Sequence, residues 1–441
     1  MLSERLISNV VKVLSKGQMT LDPTTRTHLP EAEPGRDYML YLHVPFCERL
    51  CPYCSYNRYP FVKKEAARYF ANLRTEMLML KDLGYDFGSM TFGGGTPTVL
   101  IDELCETIDL ARDTYSIKEV STETNPNHLT VEYLDKMKGR VDRLSVGVQS
   151  FDDNLLRQMD RYDQYGSGQE NFERIELASS YYEALSVDMI FNMPAQTEAI
   201  LRHDLNRLIE SGCGQITYHS LFASKATLKE MRSTLGNVNY TKEFFYYKII
   251  DDILCEGDKP PFERRTVWTY NRLNHDAEAN PNCELLIDDP GVAYEQYPGI
   301  GSGAISSLQG SLFVNNFSLQ GYNEAIESGR MSLMGETEIA QENLVRVRFM
   351  RQLYDLRLDK KAFEAEFGMS VEKALPAEMA FMRLNKAFAI DNDEELILTL
   401  KGRYLASVIY RQYCISLNCL REKARSGLPE HERELQFGAG V

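Results

Sequence analysis

The sequence predicts an α/β protein, a partial (β/α)6 TIM-like barrel followed by a helical C-terminal domain. Three observations point there. Short apolar runs alternate with amphipathic stretches between about residues 38 and 222. The runs have strand length and the stretches have helical periodicity. The residues with the most distinctive chemistry fall just after the runs, where a barrel places its active site.

The first run is 38–44 (YMLYLHV), and Phe70, Leu73, Met77 and Leu80 follow it at the spacing of one buried helix face. Further runs are 89–92 (SMTF), 118–123 (KEVSTE), 143–149 (RLSVGVQ), 185–191 (LSVDMIF) and 215–222 (QITYHSLF). Between them, Leu129, Tyr133, Leu134 and Met137, then Ile200, Leu201, Leu205, Leu208 and Ile209, repeat the helical spacing. Strand followed by helix gives right-handed βα units on a parallel sheet. Two further units would be needed to close an eightfold ring, so the barrel is partial.

After residue 225 the pattern weakens through a polar stretch (258–289) to a glycine-rich turn, Pro298–Ala304, which is expected to complete the site. Periodicity returns after Gly335 with Leu344, Val347, Met350, Leu353 and Tyr354, and 394–405 (EELILTLKGRYL) predicts a strand, a Lys-Gly turn and a helix. The expected organisation is an N-terminal extension (1–37), the barrel with its site-completing segment (38–330) and the helical domain (331–441).

The 441 residues are 43% apolar and 26% charged, an ordinary globular balance. With 49 Lys and Arg against 64 Asp and Glu, the net charge of −15 opposes the phosphate attraction that nucleic-acid binders use, so nucleic acid is excluded as a partner. No long apolar run occurs and charges interrupt the N-terminus, which predicts a cytoplasmic protein. Cys105, Cys213, Cys255, Cys283, Cys414 and Cys419 are scattered, as reduced thiols are.

Cys47, Cys51 and Cys54 are different. They form C-x3-C-x2-C on one loop after the first strand. Three thiolates hold three corners of a 4Fe-4S cluster and leave the fourth iron open, whereas structural zinc takes a closed set of four. The alternatives are a zinc site that borrows a remote fourth ligand and three unrelated cysteines. The second strand ends in Gly93-Gly94-Gly95-Thr96-Pro97, where backbone approaches a ligand closely or simply turns. Glu123, Gln149 and Asp188 lie at or near the next three strand ends and make a polar ring around the mouth, although each alone is explained equally by helix capping. Arg161 is by default a surface residue. His28, His128, His203, His219, His275 and His431 show no metal-ligand pairing, and His219, on the sixth strand, could face the cavity but reads as a satisfied structural histidine.

His-x-Pro-Phe-Cys-x3-Cys-x2-Cys, Gly-Gly-Gly-Thr-Pro, Glu-Thr-Asn-Pro, Ser-Val-Gly-Val-Gln-Ser-Phe and Val-Asp-Met-Ile-Phe-Asn-Met-Pro resemble, in that order, the radical S-adenosylmethionine (SAM) family. The branch they resemble is that of oxygen-independent coproporphyrinogen III oxidase. The resemblance covers residues 38 to 325, with a weaker match at Leu-Thr-Leu-Lys-Gly-Arg. It implies a 4Fe-4S cluster on Cys47, Cys51 and Cys54 whose open iron binds SAM and reduces it to a 5′-deoxyadenosyl radical. It also implies a second SAM beside the first and an electron donor such as flavodoxin or ferredoxin. By motif matching, Tyr41, Gly94, Glu123 and Arg161 contact the first SAM. Tyr53, Gly95, Thr96, Gln149 and Asp188 contact the second, and Ala304 and Ile305 line the same site.

Two departures bear on the branch. The oxidases carry a further cysteine two residues after the third cluster ligand, where this chain has Tyr56. The related haem chaperones carry a His-Asn-x-x-Tyr-Trp segment, whereas Pro281 to Pro298 holds neither His nor Trp. The resemblance then implies a class C radical SAM methyltransferase that methylates an sp2 carbon of a flat hydrophobic substrate. Residues 53–61, the Glu-Thr-Asn-Pro-Asn-His-Leu-Thr stretch and Lys-Gly-Arg-Tyr-Leu look like the menaquinone methyltransferases. The expected substrate is therefore a quinone. The alternative is a tetrapyrrole, handled by a porphyrin enzyme or a haem chaperone. A quinone tail calls for peripheral membrane contact through Leu2, Leu6, Val10 and Val13, flanked by Arg5, Lys12 and Lys16, or through Arg346, Arg348, Arg351 and Arg357, although ordinary packed helices explain both stretches.

Overall fold

The computed structural model describes residues 21–222, 225–273 and 296–437. Its centre is a parallel sheet of β1 (Met39–Val44), β2 (Ser89–Gly94), β3 (Glu119–Thr124), β4 (Arg143–Gln149), β5 (Ala184–Phe191) and β6 (Gln215–Ser220), paired in that order. Each falls on a run predicted above. Leu40, Leu42, Phe92, Leu144, Val146, Leu185, Val187 and Ile216 are fully buried, as expected for parallel strands covered on both faces.

Helices α1 (Lys63–Asp82), α2 (Ile101–Thr114), α3 (Val131–Met137), α4 (Gly168–Ser179) and α5 (Glu198–Glu210) lie between these strands in sequence. Their starts are written locally. Thr130 and Thr197 cap α3 and α5, and Ser167 with Glu170 forms a capping box on α4. On α1, the predicted Phe70, Leu73, Met77 and Leu80 form the buried face.

The sheet extends beyond the six units. An antiparallel hairpin, β7 (Phe262–Arg264) and β8 (Thr269–Arg272), adds to the edge of β6, and β9 (Gly299–Ile300) adds parallel to β1. Among the described residues no ladder joins the two edges of this sheet. The hairpin lies in the stretch whose pattern weakened, because strands this short and rich in charge leave no alternation to read. A second, antiparallel sheet is formed by β10 (Ile305–Leu308), β11 (Ser311–Asn315) and β12 (Leu333–Glu338), with Asp22–Pro23 on its edge.

Glu76 of α1 pins the glycine-rich turn between β9 and β10. Its buried carboxylate accepts from the Gly301 N–H (2.8 Å), Asn315 Nδ2 (2.9 Å) and the Tyr322 hydroxyl (2.8 Å). Burial raises its pKa to about 7 against the opposing pull of those donors.

Helix α6 (Glu243–Cys255) precedes the β7–β8 hairpin, and the C-terminal part contains α7 (Gln341–Tyr354), the long α8 (Leu400–Ser426) and α9 (Glu430–Phe437). It also holds a small sheet of β13 (Arg357–Asp359), β14 (Phe388–Asp391) and β15 (Glu395–Leu398). The predicted strand at 394–398 is present, but the Lys-Gly turn is not. Thr399 caps α8, and Gly402 sits in its first turn because a Cβ there would lie 1.9 Å from the Ala387 carbonyl oxygen. This part packs on the barrel: Trp268 Nε1 donates to Ser407 Oγ (2.7 Å) and Arg403 pairs with Asp251 (2.9 Å).

The amphipathic stretch at Leu2–Val13 lies outside the described residues, as does most of 281–298. No described helix is long and apolar enough to cross a membrane. The C-terminal arginines do not form an open basic face. Arg346, Arg348 and Arg357 pair with Glu378, Glu366 and Glu395, and Arg351 lines an interior cavity.

A raised carboxyl pKa means that the folded chain binds the Glu76 proton more tightly than the unfolded chain does. Its contribution to stability is complete below the ordinary glutamate pKa and is lost as pH rises through about 7. Thermal unfolding midpoints at about pH 5 and about pH 8 should therefore differ less in Glu76→Gln than in the wild type. An unchanged difference would show that Glu76 is not titrating.

Candidate functional site

The C-terminal ends of the parallel strands open into one cavity of about 610 Å3, within the usual range for ligand sites. The cysteine loop leaves β1 at this rim. Phe46–Cys47 pairs with Tyr59–Pro60, which closes the loop at its base, and the Phe61 N–H donates to the Cys47 carbonyl (2.9 Å). The buried Arg58 guanidinium donates to the Cys51 carbonyl from inside.

Cys47, Cys51 and Cys54 all line the cavity. Burial, with Cys54 nearby, pushes the Cys47 thiol up to about 12, so its thiolate needs a cationic partner. Among the described residues no three His, Cys, Asp or Glu side chains converge on the position of a single ion. Three thiols on one loop and one cavity wall match the three-cysteine ligand set of a 4Fe-4S cluster with an open iron. The residues fit a 4Fe-4S cluster.

Each glycine after β2 answers to a neighbour. A Cβ on Gly94, whose φ is +116°, would lie 2.6 Å from the His43 ring, and one on Gly95 would lie 2.6 Å from the Phe46 carbonyl oxygen. The run is therefore demanded by the packing of β2 against the cysteine loop. It still presents backbone to the cavity: both glycines line it, and the Gly94 N–H donates to Glu123 Oε2 (3.1 Å).

Tyr41, Tyr53, Gly94, Gly95, Glu123, Gln149, Arg161, Asp188 and Ile305 share this cavity. Arg161 is not the solvated residue that its composition class suggests. It is 4% exposed and donates from Nη1 to Cys51 Sγ (3.3 Å) and from Nη2 to Asn125 Oδ1 (2.7 Å). Burial holds the Tyr41 and Tyr53 hydroxyls protonated, with Glu123 adding to the effect at Tyr41 and Cys51 at Tyr53. Asp188 accepts from the Ser145 hydroxyl (2.8 Å).

Two residues sit elsewhere. Thr96 is fully buried behind the loop, accepting from Asn125 Nδ2 (2.7 Å) and donating to Cys47 Sγ (3.8 Å), so it supports Cys47 and does not line the cavity. Ala304 is buried beside Gly299. Sequence reasoning missed Asn125, although it stands inside a motif already quoted, and it read His219 as structural, whereas His219 lines the cavity. The far wall was also missed: Trp268, Tyr354, Tyr410 and Tyr413, with Arg351 and Arg421.

Comparison with known proteins agrees with the cofactor side of this site. Residues 41–208 match the Radical SAM superfamily. The chain is 24% identical over 379 residues to the haem chaperone HemW of Bacillus subtilis, covering 84% of this chain and 97% of that one. It is 26% identical over 373 residues to the oxygen-independent coproporphyrinogen III oxidase of Helicobacter pylori, covering 77% and 79%. The coproporphyrinogen III oxidase HemN of Escherichia coli, described as a radical SAM enzyme, superposes with a TM-score of 0.70 at 19% identity. That match covers 86% of this chain and 91% of that one, and shows the same fold. The cofactors are a 4Fe-4S cluster and SAM.

These relatives overturn the expected methylation of menaquinone, since they are named for porphyrin and haem chemistry. The stretches that suggested a quinone have structural work instead. Asn57, Arg58 and Tyr59 fasten the cysteine loop, and Asn127 donates to Glu48 (2.6 Å). Tyr404 donates to Glu243 (3.0 Å), beside the Arg403–Asp251 pair.

Replacement of Cys47, Cys51 or Cys54 by Ala should lower bound iron and acid-labile sulfide and bleach the visible absorption of anaerobically reconstituted protein. Full iron content in any of the three would remove that residue from the ligand set. Gly94→Ala should cost roughly 1–3 kcal/mol through its positive φ and the His43 contact, read as a lowered unfolding temperature.

Proposed function

We propose that this chain, whose residues 41–208 form a domain of the Radical SAM superfamily in the branch shared with haem chaperones and oxygen-independent coproporphyrinogen III oxidases, acts on a carboxylate-bearing tetrapyrrole. The observation that carries the reading is the continuity of the cavity. The chamber lined by the three cysteines is also lined by Trp268, Tyr354 and Tyr410 and by Arg348, Arg351 and Arg421.

The aromatic wall is built for a broad flat ligand. Tyr354 and Tyr410 lie 4.2 Å apart by ring centroids, and Trp268 meets them edge-on at 5.7 and 5.1 Å. Leu344, Val347 and Leu417 extend the apolar surface. Guanidinium groups at its margin match carboxylates in charge and geometry. Arg351 has no ion-pair partner among the described residues, which makes it the first choice for a ligand carboxylate.

When bound and reduced, the cluster and SAM supply hydrogen-atom abstraction at a substrate carbon. The chain's own part is to hold that carbon near the cysteine loop, exclude water with the aromatic wall and neutralise substrate carboxylates with arginine. A second reading, haem delivery without turnover, is favoured by one position. Tyr56 stands where the oxidases carry a further cysteine, and the Arg421 guanidinium lies 4.8 Å from the centre of its ring.

The discriminating experiment gives reconstituted protein SAM, reductant and either coproporphyrinogen III or haem under anaerobic conditions. Loss of carboxyl mass from the porphyrinogen supports the enzyme, and stoichiometric haem binding without turnover supports delivery. Failure to bind either tetrapyrrole overturns both readings. Arg351→Ala should weaken tetrapyrrole binding about tenfold, or about 1.4 kcal/mol, with little change in cluster content.

A further inference from the structure

The end of β4 is irregular in a way that the cysteine loop and glycine run do not explain. Its register against β5 shifts between Gly147 and Gln149. Gln149 itself adopts φ +74°, a left-handed conformation that a residue with a side chain rarely takes. That conformation accompanies a side chain on the cavity wall, where Oε1 is buried and has no hydrogen-bond partner in the protein. An unsatisfied amide oxygen next to the cysteine loop is a group held ready for a ligand donor.

Something must hold the unfavourable backbone, and two buried contacts are in place to do so. Asp204, in the middle of α5, is fully buried and does not line the cavity. Its Oδ1 accepts from the Phe151 N–H (2.8 Å) and its Oδ2 from the Ser150 hydroxyl (2.8 Å), the two residues that follow Gln149. Ser150 Oγ in turn accepts from the Asp152 N–H (3.1 Å). The first turn of α4 also abuts the same segment, since a Cβ on Gly168 would lie 1.8 Å from the Phe151 carbonyl oxygen. Two helices thus pack on the turn and restrict its relaxation.

We infer that Asp204 is a positioning residue, a buried carboxylate that clamps Ser150 and Phe151 and thereby aims Gln149 at bound SAM. The inference rests on the reading of Gln149 as a SAM contact. Asp204 touches neither the cavity nor the cysteine loop, so its influence on the ligand runs through Gln149 alone.

The test is a double-mutant cycle on SAM affinity, measured by equilibrium dialysis with cluster-loaded protein. Asp204→Ala should weaken SAM about tenfold while the cluster spectrum stays unchanged. Asp204→Asn should restore most of the affinity, because the amide oxygen still accepts from Phe151 and the amide nitrogen can donate to Ser150 Oγ. In a Gln149→Ala background, Asp204→Ala should add less than about twofold. Equal weakening in both backgrounds would overturn the inference. If Gln149→Ala leaves SAM affinity unchanged, the reading of Gln149 fails, and the inference with it. Ser150→Ala removes one of the two bonds at smaller structural cost, so it keeps the question open to measurement if Asp204→Ala does not fold. It should weaken SAM about threefold, and only when Gln149 is present.

Discussion

The hydrogen bonds of Asn57 are the constraint on which the rest of the site depends. Its carbonyl accepts from His43 Nε2 (2.9 Å), which ties the cysteine loop back to the end of β1. Its Nδ2 donates to Ser302 Oγ (3.1 Å) and towards the Phe317 carbonyl (3.3 Å), and its Oδ1 accepts from Gln436 Nε2 (2.9 Å). One side chain thus joins the loop, the glycine-rich turn and the C-terminal helix. Burial lowers the His43 pKa to about 4, so the ring is neutral at physiological pH. With Nε2 donating to the carbonyl, Nδ1 is left to accept from the Tyr41 hydroxyl (3.0 Å). The tautomer is fixed by the fold, and Tyr41 is aimed by the tautomer.

How far the molecule could be read from its residues follows the range of the forces involved. The six parallel strands were legible because most of each is buried, and the cysteine loop because its three cysteines lie within eight residues. The β7–β8 hairpin and strands β13 and β14 were not, since each is three or four residues long and owes its existence to the strands it pairs with. Lys401-Gly402 illustrates the same limit. Gly-containing pairs signal turns, but here the glycine serves a close helix approach to Ala387 that no local rule contains. Arg161 looked like surface because composition cannot register Cys51 and Asn125 waiting to receive it.

Cofactor chemistry and substrate choice were legible to different degrees for a physical reason. The motifs assigned to the cluster and SAM lie at strand ends and tight turns, which survive as spelled sequence. The aromatic wall of the cavity is assembled from Trp268 and from the helices α7 and α8, whose residues recur at the spacing that any packed helix would show. The quinone expectation leaned on short stretches near the cysteines and at the start of α8, and those stretches turn out to fasten segments together. Specific-looking sequence can record a hydrogen-bond partner as easily as a ligand.

The clasp around Asn57 also sets an order of events during synthesis. Gln436, which completes it, lies 379 residues downstream, and Glu432, which accepts from the Tyr59 hydroxyl, lies 373 residues downstream. A ribosome therefore exposes the three thiols long before the groups that seal their loop exist. Contacts this distant in sequence form late. Throughout that interval the nascent loop is open to iron delivery and equally open to oxidation, so the chemistry of the surrounding medium, and not the finished fold, decides which reaches the sulfurs first.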